Sequence, residues 1–374
     1  MDHPARQLAA HLDGLQRGLA DVALDAHWAA DATMDARYGD AGRRIWRTEV
    51  LSRLAHLAES VAADAPSMFA AHAGWAASAL RIREVPEHDV RAHFATLAST
   101  LAAELPADAA ARLVPHLEAA RAALAEPCAH GHGLLDDEGK DTALARLYLL
   151  HLMERDQQRA AALALDALRG GMPLASVYER VIAPALGEIG RMWHMQEASI
   201  ADEHYCTAAT RSILAQLRAA ARAAAPDGRR ALCCGVGGDL HDLGLRMAAD
   251  LLELDGWTVE FLGANVPSGE VVITLEQAAE LPGRTIDLAC IGARTQLSVR
   301  SALDMVASIR ASAAGRSTRI ILGGGPFSAD PALAVRAGAD SGVRTLSEAV
   351  AEAARLVPAG RSRPKAAAGP TGSP

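Results

Sequence analysis

From Pro226 onward the chain alternates short apolar runs with helical segments, and that alternation leaves few folds open. Residues 231–236 form an apolar run bounded by glycine, and 245–254 carry a helical pattern. Residues 258–262 read as a strand, 268–281 as a helix, 286–292 as a strand, 299–314 as a helix and 319–322 as a strand. A short strand near 341–344 precedes a last helix over 346–356. Strands separated by helices of this length must cross over to pair in parallel. The spacing therefore predicts a doubly wound, Rossmann-like sheet over 227–357.

The rest of the chain reads differently. With 374 residues, two or three domains are expected. Residues 1–126 are helical throughout, with Leu8, Leu12, Leu15 and Leu19 at helical spacing, as are Val50, Leu51, Leu54 and Leu57. Breaks are expected near Gly39–Gly42, Pro66 and Pro86, with turns or helix starts at Pro106 and Pro115. Residues 127–140 are rich in Gly, His and Asp and read as a linker. Four helices at about 141–154, 156–169, 174–193 and 201–224 would then form a bundle. The expected division is an all-helical domain over 1–135, a four-helix bundle over 136–226, the α/β domain over 227–357 and a disordered tail over 358–374.

Charge and cysteine content narrow the function classes. The formal net charge is −8, and residues 1–135 hold 12 basic against 17 acidic side chains, so no basic face for nucleic acid is expected. The five cysteines are odd in number and lack zinc-like spacing, which suits reduced structural thiols in the cytoplasm. The start Met1-Asp2-His3-Pro4 lacks the apolar stretch of a signal peptide, and no run is long and apolar enough to suggest a membrane span.

Residues 231–245 read ALCCGVGGDLHDLGL, an apolar strand running through two glycines into Asp239-Leu240-His241-Asp242-Leu243-Gly244 and then a helix. Doubly wound sheets bind ligands at the carboxyl ends of their strands. Imidazole is a common ligand of late transition metals. Asp239 could hold the ring nitrogen facing away from a metal, and Gly244 would let a large planar ligand approach the backbone. A lone loop histidine more often simply caps the next helix. The strand–Gly–Gly–DxHxxG–helix context favours the ligand.

This DxHxxG motif resembles that of the base-off/His-on cobalamin-binding family. Two further segments match it in order. Residues 291–298 (IGARTQLS) occupy the place of the family's Ser-x-Leu loop, with Leu297 and with either Thr295 or Ser298 standing for the serine. Gly323-Gly324-Gly325 match its glycine-rich segment. The resemblance implies a cobalamin with His241 as lower axial cobalt ligand and its displaced nucleotide tail held between these loops.

The helical region adds Trp193, His194, Glu203 and His204, a Trp-x9-Glu-His pattern. Taken alone it suits a core tryptophan and an acid near a helix start. Beside DxHxxG it resembles the cobalamin-dependent photoreceptors related to light-responsive repressors of carotenoid synthesis. That resemblance implies adenosylcobalamin, with Trp193 packed on the adenosyl group, Glu203 and His204 enclosing it, and His194 as the upper cobalt ligand after light. Residues 1–135 lack the winged helix of those repressors, so no DNA binding is expected. Their size suits a globin-like or bundle-like sensor, as in photocobilins, which pair this cobalamin domain with a bilin (biliverdin) domain. Light-dependent homo-oligomers and a downstream signalling partner are expected by the same resemblance. The competing expectation is a corrinoid carrier of a methyltransferase system. A mutase would need a catalytic barrel of about 250 residues that the chain has no room for.

Overall fold

The structure, a computed structural model, describes residues 3–125, 135 and 138–359. Cys128, most of the expected linker and nearly all of the expected tail lie outside the described residues. The chain divides into two compact units, one of residues 1–133 with 191–198, the other of residues 134–190 with 199–374. Residues 191–198, which the sequence suggests as part of the bundle, thus cluster with the N-terminal helices. No helix among the described residues is long and apolar enough to cross a membrane.

The first unit contains α1 (His3–Ala30), α2 (Met34–Ala62), α3 (Pro66–Ile82), α4 (Glu87–Glu104) and α5 (Ala107–Ala125). Leu8, Leu12, Leu19, Val50, Leu54 and Leu57 join one core with Phe69, Leu97 and Leu113. Leu15 is exposed, because the buried stripe of α1 centres on Ala5, Ala9, Ala20 and Ala23 and leaves Leu15 at its edge. The expected break at Gly39 is present: its backbone is non-helical, at φ 57° and ψ −169°, and divides α2 into two helical segments across a kink. Pro115 does not mark a turn or a helix start. It sits inside α5, where the carbonyl that loses its donor belongs to Ala111 on the exposed side, so water can satisfy it.

This core also buries polar rings. His27, His72, His93 and His116 are nearly inaccessible. Burial lowers the pKa of each, His72 to about 2. Arg53, itself buried, adds to the lowering at His27, His72 and His93, while Asp89 opposes it at His27 and Asp64 at His116. These imidazoles are neutral in the fold and take up protons near pH 6.5 once unfolded. The unfolded chain then binds more protons, so stability present above about pH 6.5 is lost as pH falls below it. Each histidine contributes up to about 1.4 kcal/mol per pH unit. Thermal unfolding followed at pH 7.5 and pH 5.5 should show this unit losing several degrees. An unchanged midpoint would mean that the rings are protonated in place.

The second unit begins with α6 (Lys140–Met153), α7 (Gln157–Arg169) and α8 (Leu174–Val177), then a π-helical turn over Tyr178–Ile182. It continues through α9 (Ala183–His194), whose last turn belongs to the first unit, and α10 (Ile200–Ala220). Ser199 and Asp202 form a capping box at the start of α10. Helix α10 stops short of residue 224, because the amide of Ala224 bonds to the carbonyl of Leu254 and that of Asp227 to Gly256.

The α/β part follows as β1 (Arg230–Val236), α11 (Leu243–Leu254), β2 (Thr258–Val266), α12 (Ser268–Glu280), β3 (Leu288–Gly292) and α13 (Val299–Ala311). It ends with β4 (Arg319–Gly323), α14 (Gly325–Ala329), α15 (Pro331–Arg336), β5 (Ser341–Val343) and α16 (Leu346–Leu356). All strands pair in parallel in the order β2-β1-β3-β4-β5. The expected doubly wound sheet is present. Ala231 and Cys233 face a core with Leu245, Leu252 and Ala353, while the Cys234 thiol reaches the Met305 sulfur on the opposite face. Strand β2 runs past the expected end at Leu262, with its pairing to β1 shifting register between Cys233 and Cys234 and again between Cys234 and Val236, where Gly263 and Asn265 adopt positive φ. Strand order reverses between β1 and β3, and ligands in such sheets bind at the carboxyl side of that crossing.

Candidate cobalamin site

Asp239 organises the loops at that crossing. Its side chain is buried beyond the end of β1. One carboxylate oxygen accepts from the backbone N–H of His241 at 3.0 Å and from the His241 ring Nδ1 at 2.8 Å. The other accepts from the backbone N–H groups of Arg294 (2.6 Å) and Thr295 (3.2 Å) and from the Ser298 hydroxyl (2.8 Å). One acid thus binds the DxHxxG loop to the loop after β3. Burial alone would raise its pKa. The hydrogen bonds from His241, Ser298 and Arg294 outweigh burial and hold the carboxyl well below the usual range.

His241 shows the complementary shift. The bond to Asp239 raises its pKa against the opposing effect of burial, with the charges of Asp239 and Glu203 adding to the rise and Arg294 lowering it. Its side chain is 61% exposed. With Nδ1 committed to Asp239, Nε2 faces away from the carboxylate. The result is a more basic, orientationally fixed imidazole, whose other nitrogen could serve as a donor to a metal.

The neighbouring glycines leave room for such a ligand. A Cβ at Gly244 would meet nothing within 4 Å. Gly324 and Gly325 adopt φ of 91° and 43° and pack on the backbone of Ala293 and Arg294, where a side chain at Gly325 would run into the Arg294 carbonyl. The three sequence segments therefore meet at the ends of β1, β3 and β4. Leu240 and Leu297 expose apolar side chains beside these loops, at 74% and 50%. Of the two hydroxyls left open by the sequence, Ser298 is buried against Asp239, and half-buried Thr295 contacts the Ser298 oxygen at 3.2 Å.

Sequence reasoning missed several supports. Asn265, at φ 56°, accepts from the Gly238 N–H at 2.7 Å and donates its own N–H to the Asp239 carbonyl at 3.0 Å. An asparagine two residues after Gly263, near a strand end, was the available signal. Arg211 of α10 grips Asp242 through two bonds, of 2.7 and 2.8 Å, and so ties α10 to the loop. The π-turn residue Tyr178 donates to Asp250 of α11 at 2.9 Å, and Arg246 holds the same carboxylate. No local pattern pairs Arg211 with Asp242 or Tyr178 with Asp250, which lie 31 and 72 residues apart.

The remaining predicted residues lie on two elements. On α10, Glu203 is half-buried and accepts from Thr207, and exposed His204 lies 3.7 Å from the Glu203 carboxylate. Trp193 is 46% exposed in the last turn of α9. His194, beside it, stacks on Trp75 within the first unit, the ring centroids 4.1 Å apart.

Comparison with known proteins points to cobalamin binding. Residues 229–355 match the B12 binding domain family, and residues 144–218 match a second B12 binding domain family. Dimethylamine corrinoid protein 1 of Methanosarcina acetivorans is 26% identical over 53% of this chain and 90% of its own length. The HTH-type transcriptional repressor CarH of Myxococcus xanthus is 30% identical over 44% of this chain, which spans about half (54%) of that repressor. The monomethylamine corrinoid protein of Methanosarcina barkeri shares the fold of 58% of this chain over all of its own length, at a TM-score of 0.50 and 19% identity.

Proposed function

We propose that this cobalamin-binding chain is a light sensor acting in the cytoplasm, with adenosylcobalamin as its chromophore. The observation that carries the reading is the Asp239-held His241 in the same chain as the Trp193-His194 and Glu203-His204 pairs. His241 would give its outward nitrogen to the cobalt, and Asp239 keeps that ring in one tautomer. Trp193 offers an exposed flat surface to the adenosyl group, and Glu203 and His204 offer it hydrogen bonds. The bound cofactor supplies a Co–C bond that visible light breaks. His194 would be available as a nitrogen ligand once that bond is broken, and its release would move residues 191–198 and bias a conformational or oligomeric equilibrium. A bilin in the N-terminal unit would tune this response. Its interior of imidazoles and indoles in tilted and edge-on contact, including His27, Trp46 and His93, supports that reading. The output is a signalling partner rather than DNA.

A corrinoid carrier serving methyltransferases is the second reading, favoured by similarity along 90% of a dimethylamine corrinoid protein. Dark spectra of the protein with adenosylcobalamin, before and after green light, separate the two. The sensor should convert to a stable bis-imidazole spectrum that His194→Ala abolishes. A photoproduct that keeps no second imidazole would favour the carrier.

A further inference from the structure

His194 does not stand alone in the first unit. Its ring lies nearly parallel to Trp75, at 18° and 4.1 Å between centroids. Trp75 lies at 27° to His72, centroids 6.0 Å apart, and His72 stacks on His56 at 12° and 3.7 Å. His56, His72 and Trp75 come from α2 and α3, so the four rings form one column that runs from the helical interior to the 191–198 segment. Trp75 is 44% exposed, so its ring is not held as core filling, and one face is spent on His194.

We infer that Trp75 is a positioning residue that retains His194 and sets how readily it is released to cobalt. The inference rests on the reading of His194 as upper ligand after light. An imidazole stacked on an indole must give up that contact before its nitrogen can turn to a metal, so stacking and ligation compete for one ring. The column also makes the retained position depend on His72 and His56, so a change inside the N-terminal unit alters the release of His194.

The test uses the full chain with Trp75→Leu and Trp75→Phe. In the cofactor-free protein the His194 ring protons should resonate upfield in NMR spectra, from the indole ring current, and lose that shift in Trp75→Leu. After a light pulse on the adenosylcobalamin-loaded protein, the His194-dependent spectrum should form about three- to tenfold faster in Trp75→Leu, the range expected for a lost aromatic pair. Trp75→Phe, which keeps a ring, should fall between. Wild-type rates in Trp75→Leu, with the upfield shift gone, would overturn the inference alone. No upfield shift in the wild type would overturn it as well. A photoproduct unchanged in His194→Ala would remove the ligand assignment and the inference together.

Discussion

Replacing His241 by alanine should abolish the His-on spectrum of bound cobalamin and weaken binding at least about 100-fold. Loss of a residue that merely supports a metal ligand already costs 10- to 100-fold, so loss of the ligand itself sets a floor near the top of that range. The fold should survive. The imidazole is 61% exposed, and the bond that its backbone N–H makes to Asp239 does not need the side chain. A melting point near that of the wild type beside a collapsed spectral titration is therefore the expected pair of results. Retained affinity with an intact axial imidazole signature would show that another residue is the lower ligand.

Substitution of Asp239 should damage both stability and binding. Its two oxygens collect donors from His241, Arg294, Thr295 and Ser298. Alanine would leave several of these without an acceptor in a buried place, at a cost of about 3–5 kcal/mol. Asparagine is no remedy, because both positions of the carboxylate face donors and an amide NH2 would oppose one set whichever way it turned. It should cost about 2–4 kcal/mol. In either variant His241 loses the partner that fixes its tautomer, so cobalamin affinity should fall a further 10- to 100-fold. Chemical denaturation and spectral titration read the two effects separately. A near-neutral Asp239→Asn variant would show that the network tolerates one repulsive contact and that Asp239 matters less than its geometry implies.

The doubly wound sheet was legible in the sequence because its signals are local. Short apolar runs alternate with helical segments, and glycines end the strands where the ligand loops begin. The same holds for the DxHxxG and triple-glycine loops. Each is a contiguous stretch whose backbone demands show in its residue types, such as positive φ at Gly324 and Gly325. Helix limits were less legible. Pro115 reads as a break, yet the carbonyl it leaves without a donor lies on the exposed side of α5, and only the packed helix shows which side is exposed.

The sequence by itself determined that an imidazole stands two residues after an acid at the end of the first strand, within a fold that binds ligands there. Only the tertiary structure decided what that acid does. Asp239 joins loops 55 to 59 residues apart, through donors that belong mostly to backbone amides and so leave no trace in residue identity. The structure likewise assigned Ser298 rather than Thr295 to the buried hydroxyl, set Arg211 on Asp242 and brought His194 against Trp75. The physical reason is common to all of these. Local conformational preference acts over a few residues, whereas a hydrogen bond or ring stack depends on distance in space, which chain order does not encode until the core has packed.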